Sequence, residues 1–268
     1  MGWGFLLRYF LLLALVCASA FGQMPTPANQ LRQAAGGGGS VTFTYVNNCT
    51  ADTAGAQNLP CVFSGGVTAS NLMVCAFTFG DGTNLLSTVT DTQTNTWAAV
   101  PTATTGTNGF CADTGNGQSF YLWYAIAGST AANTVTAAFS TSRNNTAIAC
   151  VEFSSNQPTI AIDASDGAFD ATGSSGTDGD QTPSVTTTVN GDLLIGAFMG
   201  TSTGATTWTA GGSPIAFTSR ASVTAGGGSG PFIESATQTT AAAGTAATVT
   251  ASDTSQYCGM LGTFKGTP

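Results

Sequence analysis

The clearest pattern along the chain is an alternation of apolar and polar residues with a period of two. Residues 41–45 alternate strictly, so Val41, Phe43 and Tyr45 share one face of a strand. No segment combines a sustained helical period with capping residues. Many short strands separated by clusters of Gly, Asn, Asp and Ser are typical of a sandwich or barrel. The sequence therefore predicts an all-β, antiparallel, jelly-roll-like β-sandwich over residues 40–268.

The same pattern predicts further strands along the rest of the chain. They are expected at residues 71–79, 87–90, 96–100, 120–126, 134–139, 146–153, 184–189, 193–199, 215–223, 232–239, 246–251 and 257–265. Between the sixth and seventh of these, residues 163–183 are acidic and rich in Gly, which favours a long surface crossover.

The chain also repeats itself. Residues 68–77 are echoed by residues 188–198 with one residue inserted, and Trp97 and Phe153 recur at one common offset as Trp208 and Phe264. Duplication of a strand set is the simplest explanation, and it predicts two related halves at about 68–154 and 185–265. Similar composition and strand period also produce chance echoes, so this alternative stays open.

The N-terminus predicts export. One cation, Arg8, precedes an unbroken apolar segment at 10–16, and Ala18-Ser19-Ala20 supplies the small residues of a cleavage site. The apolar stretch is well short of the ~20 residues of a membrane-spanning helix. We therefore expect a signal peptide at 1–20, a flexible linker at 21–39, no membrane insertion after cleavage, and a secreted, periplasmic or cell-surface protein.

Charge narrows the range of partners. The chain has 13 acidic and 5 basic residues, and removal of Arg8 with the signal peptide leaves a net charge of −9. Nucleic acids and anionic membranes are poor partners, because binding to them relies on basic patches that this chain cannot assemble. A hydrophobic content of 42% is sufficient for a core.

The cysteines agree with an oxidising compartment. Six of the seven follow the predicted cleavage site, and an even number suggests up to three disulfides. Cys49 and Cys61 bracket a polar loop, and closure of a loop of that size would contribute about 3 kcal/mol in the chain-entropy model. This pair is therefore favoured, whereas Cys75 and Cys150 also fit as small buried apolar residues.

Five segments resemble a family of secreted bacterial β-sandwich modules. They read NLMV at 71–74, VTDTQTNTW at 89–97, LWYA at 122–125, NTVT at 133–136 and VEFS at 151–154. Members of that family run NLLVV, VTDSxGNTW, LWYA, NTVTV and VEYSG in the same order. The resemblance implies the fold and export, and it implies no site residues because the family has no assigned chemistry. Thr94 stands where the family prefers Gly, which favours Asn95 as the left-handed residue of the turn.

Histidine is absent, which excludes His-dependent nucleophile activation and the usual zinc sites. Lys265 is the single lysine; an isopeptide bond through it would need a partner and a catalytic carboxylate that the sequence does not identify. Glycoside hydrolysis would need two carboxylates facing a cleft, and Glu152 and Glu234 are the two glutamates. Each is expected on a solvated strand face, so we expect no enzyme and no organic cofactor.

Two candidate binding sites remain. Asp163, Asp166, Asp170, Asp178 and Asp180 place hard oxygen ligands in the predicted crossover, where they either bind Ca²⁺ or form a solvated acidic loop.

The second candidate is aromatic. Tyr121 and Trp123 share one face of the strand at 120–126, and Trp97 lies in the predicted strand at 96–100. Such rings either pack in the core or stack on sugars. The sequence thus favours an exported, non-enzymatic binding or adhesion module for a polysaccharide or a cell-surface protein. A structural subunit of an extracellular assembly is the alternative, because the strands contain almost no Lys to protect their edges; a glycan hydrolase is the third.

Overall fold

The computed structural model describes residues 40–268 except 54, 84, 103–106, 115–116, 143, 171–179, 201–206, 226–227, 253–255 and 268. The predicted signal peptide and linker lie outside the described residues. Every long regular element in the described part is a strand, so the all-β prediction is confirmed. Within that part, a helix capable of crossing a membrane is not found.

The described part of the chain contains seventeen strands. They are β1 (Phe43–Thr53), β2 (Asn58–Val67), β3 (Leu72–Phe79), β4 (Leu86–Asp91), β5 (Ala98–Ala99), β6 (Phe110–Asp113), β7 (Gln118–Ile126), β8 (Ala131–Phe139), β9 (Thr146–Ser155), β10 (Thr159–Asp170), β11 (Asp180–Gln181), β12 (Asp192–Gly200), β13 (Trp208–Ala210), β14 (Thr218–Ala225), β15 (Gly228–Gln238), β16 (Thr248–Ala251) and β17 (Tyr257–Thr267).

The strands form four antiparallel sheets that pack as layers. Two inner sheets have the orders β1-β9-β3-β7-β5, with β6 also on β7, and β10-β17-β12-β15-β14. Two outer sheets, β2-β8-β4 and β11-β16-β13, cover them. The antiparallel β-sandwich is therefore confirmed, in a form with two inner and two outer layers.

Three hydrophobic cores fill the spaces between the layers. The central core lies between the inner sheets and contains Leu72, Val74, Leu193 and Phe264. Alternate residues of the same strands point the other way, so Met73 packs in the core beneath the outer sheet β2-β8-β4. Strands β3 and β12 are buried on both faces, which explains why they are nearly continuous apolar segments.

The two halves of the chain use the same strand order. The series β1-β9-β3-β7 corresponds to β10-β17-β12-β15, and β2-β8-β4 corresponds to β11-β16-β13. Even a bulge recurs: the register shifts after Tyr45, opposite Phe153, and again after Ile162, opposite Phe264. An origin by duplication stays a prediction that this correspondence supports.

The six cysteines of the described part form three disulfides, two of which join different layers. Cys49–Cys61, the pair favoured by loop length, links an inner strand to the outer strand β2. Cys75–Cys150 joins the neighbouring strands β3 and β9, and Cys111–Cys258 joins the two inner sheets. These disulfides are consistent with an oxidising extracellular environment.

Several predicted elements are wrong. The crossover expected from residue 163 begins later, because Asp163 to Asp170 belong to β10, which pairs along its length with β17. The strand expected at 184–189 is reduced to a single bridge between Val185 and Thr245. Strand β2 was not predicted, because a proline and two glycines interrupt its alternation of apolar and polar residues.

Candidate functional site

The predicted aromatic site is mostly inside the molecule. Tyr121 is 1% exposed in the core beneath the outer sheet β2-β8-β4, and its hydroxyl accepts a hydrogen bond from the backbone N–H of Leu85 at 3.0 Å. Trp97 is buried in the same core, and Trp123 is half-buried against it. An exposed stacking face built on Tyr121 and Trp123 is therefore not formed, because the outer sheet covers the face that they share.

The Asp91 carboxylate holds Trp97 and accepts several further hydrogen bonds from the same turn. The Asp91 Oδ2 atom accepts from Trp97 Nε1 at 3.1 Å and from Asn95 Nδ2 at 2.8 Å. Its Oδ1 atom accepts the backbone N–H groups of Gln93 and Asn95, each at 3.0 Å. Burial opposes the charge, but these hydrogen bonds outweigh it and lower the pKa of Asp91. The VTDTQTNTW segment is thus a rigid turn.

Thr94 itself adopts the left-handed conformation in this turn, with φ of 57°. The expectation that Asn95 takes it is wrong, because both the backbone and the side chain of Asn95 are bound to Asp91. The hydrogen bonds from Asn95 to Asp91 therefore place the left-handed conformation at Thr94.

A groove opens beside this turn. It has a volume of about 670 Å³, and its lining includes Gln93, Thr94, Asn95, Thr96, Tyr124 and Ser129. The Tyr124 ring is half-buried and meets the ring of Phe264 edge-on, with centroids 5.3 Å apart. We call this feature the turn groove. It combines one aromatic ring with amides and hydroxyls, and it carries no ionised side chain among these residues.

The amides of the turn groove are fixed in place. Gln93 Nε2 donates to the carbonyl oxygen of Ala131 at 2.9 Å, and Asn95 Oδ1 accepts from the N–H of Gly128 at 2.8 Å. Ser129 Oγ donates to Gln93 Oε1 at 3.0 Å. Each amide oxygen has two lone pairs, so acceptor capacity remains for a ligand. The groove is preorganised for hydrogen bonding.

The predicted calcium ligands are dispersed. Asp163 and Asp166 lie within β10 and Asp170 ends it, so the chain from the first to the last spans roughly 20 Å at the rise of a strand. Asp178 lies outside the described residues, and Asp180 begins β11. Among the described residues, the one group of three metal-ligand types within reach of each other is Cys49, Cys61 and Cys150, which belong to disulfides. Extended backbone, where a loop was expected, separates Asp163, Asp166 and Asp170.

Glu152 and Glu234 are both fully buried, contrary to the solvated faces expected for them. Glu152 Oε1 accepts from Asn71 Nδ2 at 2.6 Å and from the N–H of Thr68 at 2.8 Å. Glu234 Oε2 accepts one hydrogen bond, from the N–H of Gly211 at 3.2 Å. Alternation places Glu152 on the side of Cys150 and Glu234 on the side of Phe232, in different outer cores. The two carboxyls do not face one cleft.

Burial raises the pKa of Glu234 to about 9, and the single hydrogen bond from Gly211 only partly opposes this rise. Its second oxygen, Oε1, has no hydrogen-bond donor among the described residues. Glu234 is therefore a protonated acid at neutral pH, buried where a charge would be costly.

A cluster of three ionisable groups lies across β10, β17 and β12. Lys265 Nζ donates to Asp163 Oδ1 at 2.8 Å, and the Asp163 side chain is fully buried while that of Lys265 is 29% exposed. The backbone N–H and hydroxyl of Thr188 also donate to the Asp163 carboxylate. Asp192 is fully buried beside Asp163. We call Asp163, Thr188, Asp192 and Lys265 the lysine–carboxyl cluster.

The pKa values of the two carboxyls of this cluster are shifted in opposite directions. Burial opposes ionisation of Asp163, but hydrogen bonds from Lys265 and Thr188 outweigh it and lower its pKa to about 2. Burial, the hydrogen bond to Asp163 and the negative charge of Asp163 raise the pKa of Asp192 to about 7. Asp192 has no donor among the described residues, so it is satisfied when it carries a proton and donates it to Asp163.

Sequence reasoning identified Asp163 for a different role and did not connect it with Lys265 or Asp192. The repeat alone could have indicated that these residues lie close together, because it aligns Asp192 with Asn71, and Lys265 directly follows Phe264, the counterpart of Phe153.

No protein-family model matches the chain, and no curated protein matches it either.

Proposed function

We propose that this protein is an exported, non-enzymatic binding module that holds an uncharged polysaccharide chain in the turn groove. The groove itself carries the proposal: Tyr124, Asn95, Gln93 and Ser129 line a concave site of about 670 Å³. Concave sites with one apolar ring and a few fixed polar groups are typical of small-ligand and sugar binding.

Charge supports an uncharged ligand. The residues that line the groove are neutral, and the chain has 13 acidic residues against 5 basic ones. An anionic polymer would be repelled at long range. The hydroxyls of a neutral sugar can instead pair with Thr96, Asn95 and Ser129 while a ring face packs against Tyr124.

Export is supported by two independent observations. The first 20 residues have the pattern of a signal peptide. Cys49–Cys61, Cys75–Cys150 and Cys111–Cys258 are all disulfide-bonded, which requires an oxidising environment to persist. We propose that the exported protein acts in the periplasm, at the cell surface or outside the cell.

Retention on insoluble neutral polysaccharides tests the groove. Thr96 lines it and is exposed, so Thr96→Arg should fill the groove and abolish retention. Thr90→Arg is the matched control, because Thr90 is also exposed but lies on the outer face of β4. Both variants should melt within a few degrees of the wild type, since surface substitutions usually change stability by about 0.5 kcal/mol or less. Equal retention of the two variants, or none by the wild type on any neutral glycan, would refute the proposal.

A structural subunit is the second candidate, favoured by one observation. Val62 is 60% exposed on the outer edge strand β2, the greatest exposure of a large hydrophobic side chain in the described part. Assembly through strand edges is less favourable than the scarcity of Lys suggests, because bulges interrupt β1, β10 and β14 and Pro60 lies in β2.

Assembly would thus use the face around Val62. Sedimentation of the purified protein tests this directly. Under the assembly hypothesis, Val62→Asp should convert oligomers to monomers, whereas Val46→Asp, at a residue 45% exposed on β1, should not. A wild type that is monomeric at all concentrations rules out self-assembly of the purified protein.

A further inference from the structure

We propose that Lys265 and Asp163 condense into an intramolecular isopeptide bond, with Asp192 as the acid that assists the reaction. The bond would join β17 to its neighbour β10 and lock the last strand of the chain into the inner sheet. This inference is independent of the turn groove and of any ligand.

The reacting groups are already in contact. Lys265 Nζ lies 2.8 Å from Asp163 Oδ1. Nζ is therefore adjacent to Asp163 Cγ, near the roughly 3–3.5 Å separation from which groups react readily once they are held together. The bulge between Ile162 and Ala164 is what gives Asp163 this position, because it leaves Asp163 out of the ladder with β17.

The Asp163 carboxyl is also fixed and shielded. Its side chain has no solvent exposure, and Thr188 donates to it from both backbone and hydroxyl. Fixed donors beside the carboxyl can stabilise the negative charge that develops on its oxygen during attack.

Asp192 distinguishes this cluster from an ordinary ion pair. A structural salt bridge needs one carboxylate and one ammonium, yet a second carboxyl is fully buried beside the first and lacks any donor among the described residues. Burying a second acid at this place costs free energy unless it holds a proton. A buried proton donor beside the electrophilic carbon is the group that amide formation requires.

The step balances without an external reagent. The Lys265 ammonium first passes one proton to the Asp163 carboxylate, which gives a neutral amine and two protonated carboxyls. The Nζ lone pair then attacks Asp163 Cγ, while the Asp192 proton stabilises the oxygen that becomes negative. The Cγ–O bond breaks, Nζ loses one further proton and one water leaves. Asp192 is protonated again at the end, and nothing is oxidised or reduced.

Mass spectrometry of the purified, reduced and alkylated protein tests the bond. The wild type should be about 18 Da lighter than its sequence requires, the mass of one lost water. Trypsin should fail to cleave after Lys265, and a single branched peptide should contain both Lys265 and Asp163. Separate peptides containing a free Lys265 and a free Asp163 would overturn the proposal.

Two variants test the roles of the residues. Lys265→Arg keeps a cation beside Asp163 but cannot form the amide, so it should show the full mass and a melting temperature several degrees lower. Asp192→Asn should also show the full mass, and Asp192→Glu should restore the loss of about 18 Da because it restores an acid. Circular dichroism and an intact Cys111–Cys258 disulfide establish folding of each variant. A folded Asp192→Asn protein that still loses water would overturn the role of Asp192.

Discussion

The two halves of the molecule each bury a carboxyl group beside a matched turn, but they give it different partners. At matched turns, the backbone N–H of Thr68 and that of Thr188 each donate to a buried carboxylate. In the first half this carboxylate is Glu152, and the neutral amide of Asn71 donates to it. In the second half it is Asp163, whose partners are Thr188, a cation and a second acid.

This difference has chemical consequences. Asn71 donates a hydrogen bond to one oxygen of Glu152 from an amide that does not titrate. Asp192, at the matched position, can donate only when protonated, and Lys265 adds an amine that the first half lacks, since Ser154 follows Phe153 there. The Glu152 site can therefore only stabilise the fold, whereas the Asp163 site can also react. The two roles are separated by different side chains at two matched positions, Asn71 against Asp192 and Ser154 against Lys265.

The largest expected effect concerns pH and lies in the second half. Glu234 has a pKa raised to about 9 in the folded protein, against an ordinary value of 4.5. The stability that its protonated form gives is fully present below pH 4.5 and is lost as pH rises through 9. Because one pKa unit corresponds to about 1.4 kcal/mol, the loss between pH 5 and pH 9 is at most about 5 kcal/mol.

Urea unfolding at pH 5, 7 and 9 measures this loss. Glu234→Gln keeps the shape and removes the titration, so its unfolding free energy should fall less over the same range. Parallel pH profiles of the wild type and the variant would contradict the assignment of Glu234 as a buried acid.

The next effect concerns the hydrogen bond between Asn71 and Glu152 in the first half. Asn71→Ala removes the 2.6 Å hydrogen bond to the buried Glu152 carboxylate, so we expect a loss of about 3 kcal/mol in unfolding free energy at pH 7. Asn190→Ala removes an exposed amide that accepts one bond from the N–H of Ala241, and it should cost about 1 kcal/mol or less. Equal losses in unfolding free energy would show that the hydrogen bond from Asn71 to Glu152 gives no special stabilisation.

The matched tryptophans give a smaller contrast. Trp97→Phe loses the hydrogen bond to Asp91 and should cost about 2 kcal/mol, because the bond ends on a charged group. Trp208 packs between Phe198 and Phe232, and its Nε1 has no acceptor among the described residues. Trp208→Phe should therefore change stability by less than about 1 kcal/mol. Chemical denaturation of both variants measures the difference. A larger loss for Trp208→Phe than for Trp97→Phe would contradict the stabilising role of the hydrogen bond from Trp97 to Asp91.

The smallest effect tests the turn. Thr94 holds a φ of 57°, which glycine adopts without steric cost, so Thr94→Gly should stabilise the protein by about 0.5–1 kcal/mol. Thr96→Gly, two residues along in the same loop, should destabilise it by a similar amount through chain entropy. Melting temperatures that move in the same direction for both would contradict the strain at Thr94.

The sequence was sufficient for the features that depend on strand period. Alternation in residues 41–45 predicts the sandwich, and loop length favours the Cys49–Cys61 disulfide found in the structure. Strand β10 was missed because Asp163, Asp166 and Asp170 make it resemble a loop, and its pairing with β17 is a long-range property.

Burial of the candidate site residues could not be predicted either. Glu152 and Glu234 alternate with apolar neighbours as surface residues do, and only the outer layers bury them, whereas for Tyr121 the sequence left core packing and exposure both open. The contact of Lys265 with Asp163 depends on a bulge at residue 163. A bulge shifts a side chain from one face to the other without leaving a sign in the periodicity.

The Cys111–Cys258 disulfide has a mechanical consequence. It spans 147 residues and joins the two inner sheets. If the protein is held near residue 40 and pulled at residue 267, tension passes through this covalent shortcut and bypasses the chain between Cys111 and Cys258. All of β12 and the turn before it, with Thr188, lie in the bypassed portion. A domain of this kind stretches only along its first third and its last strand, so most of its hydrophobic core is sheltered from load.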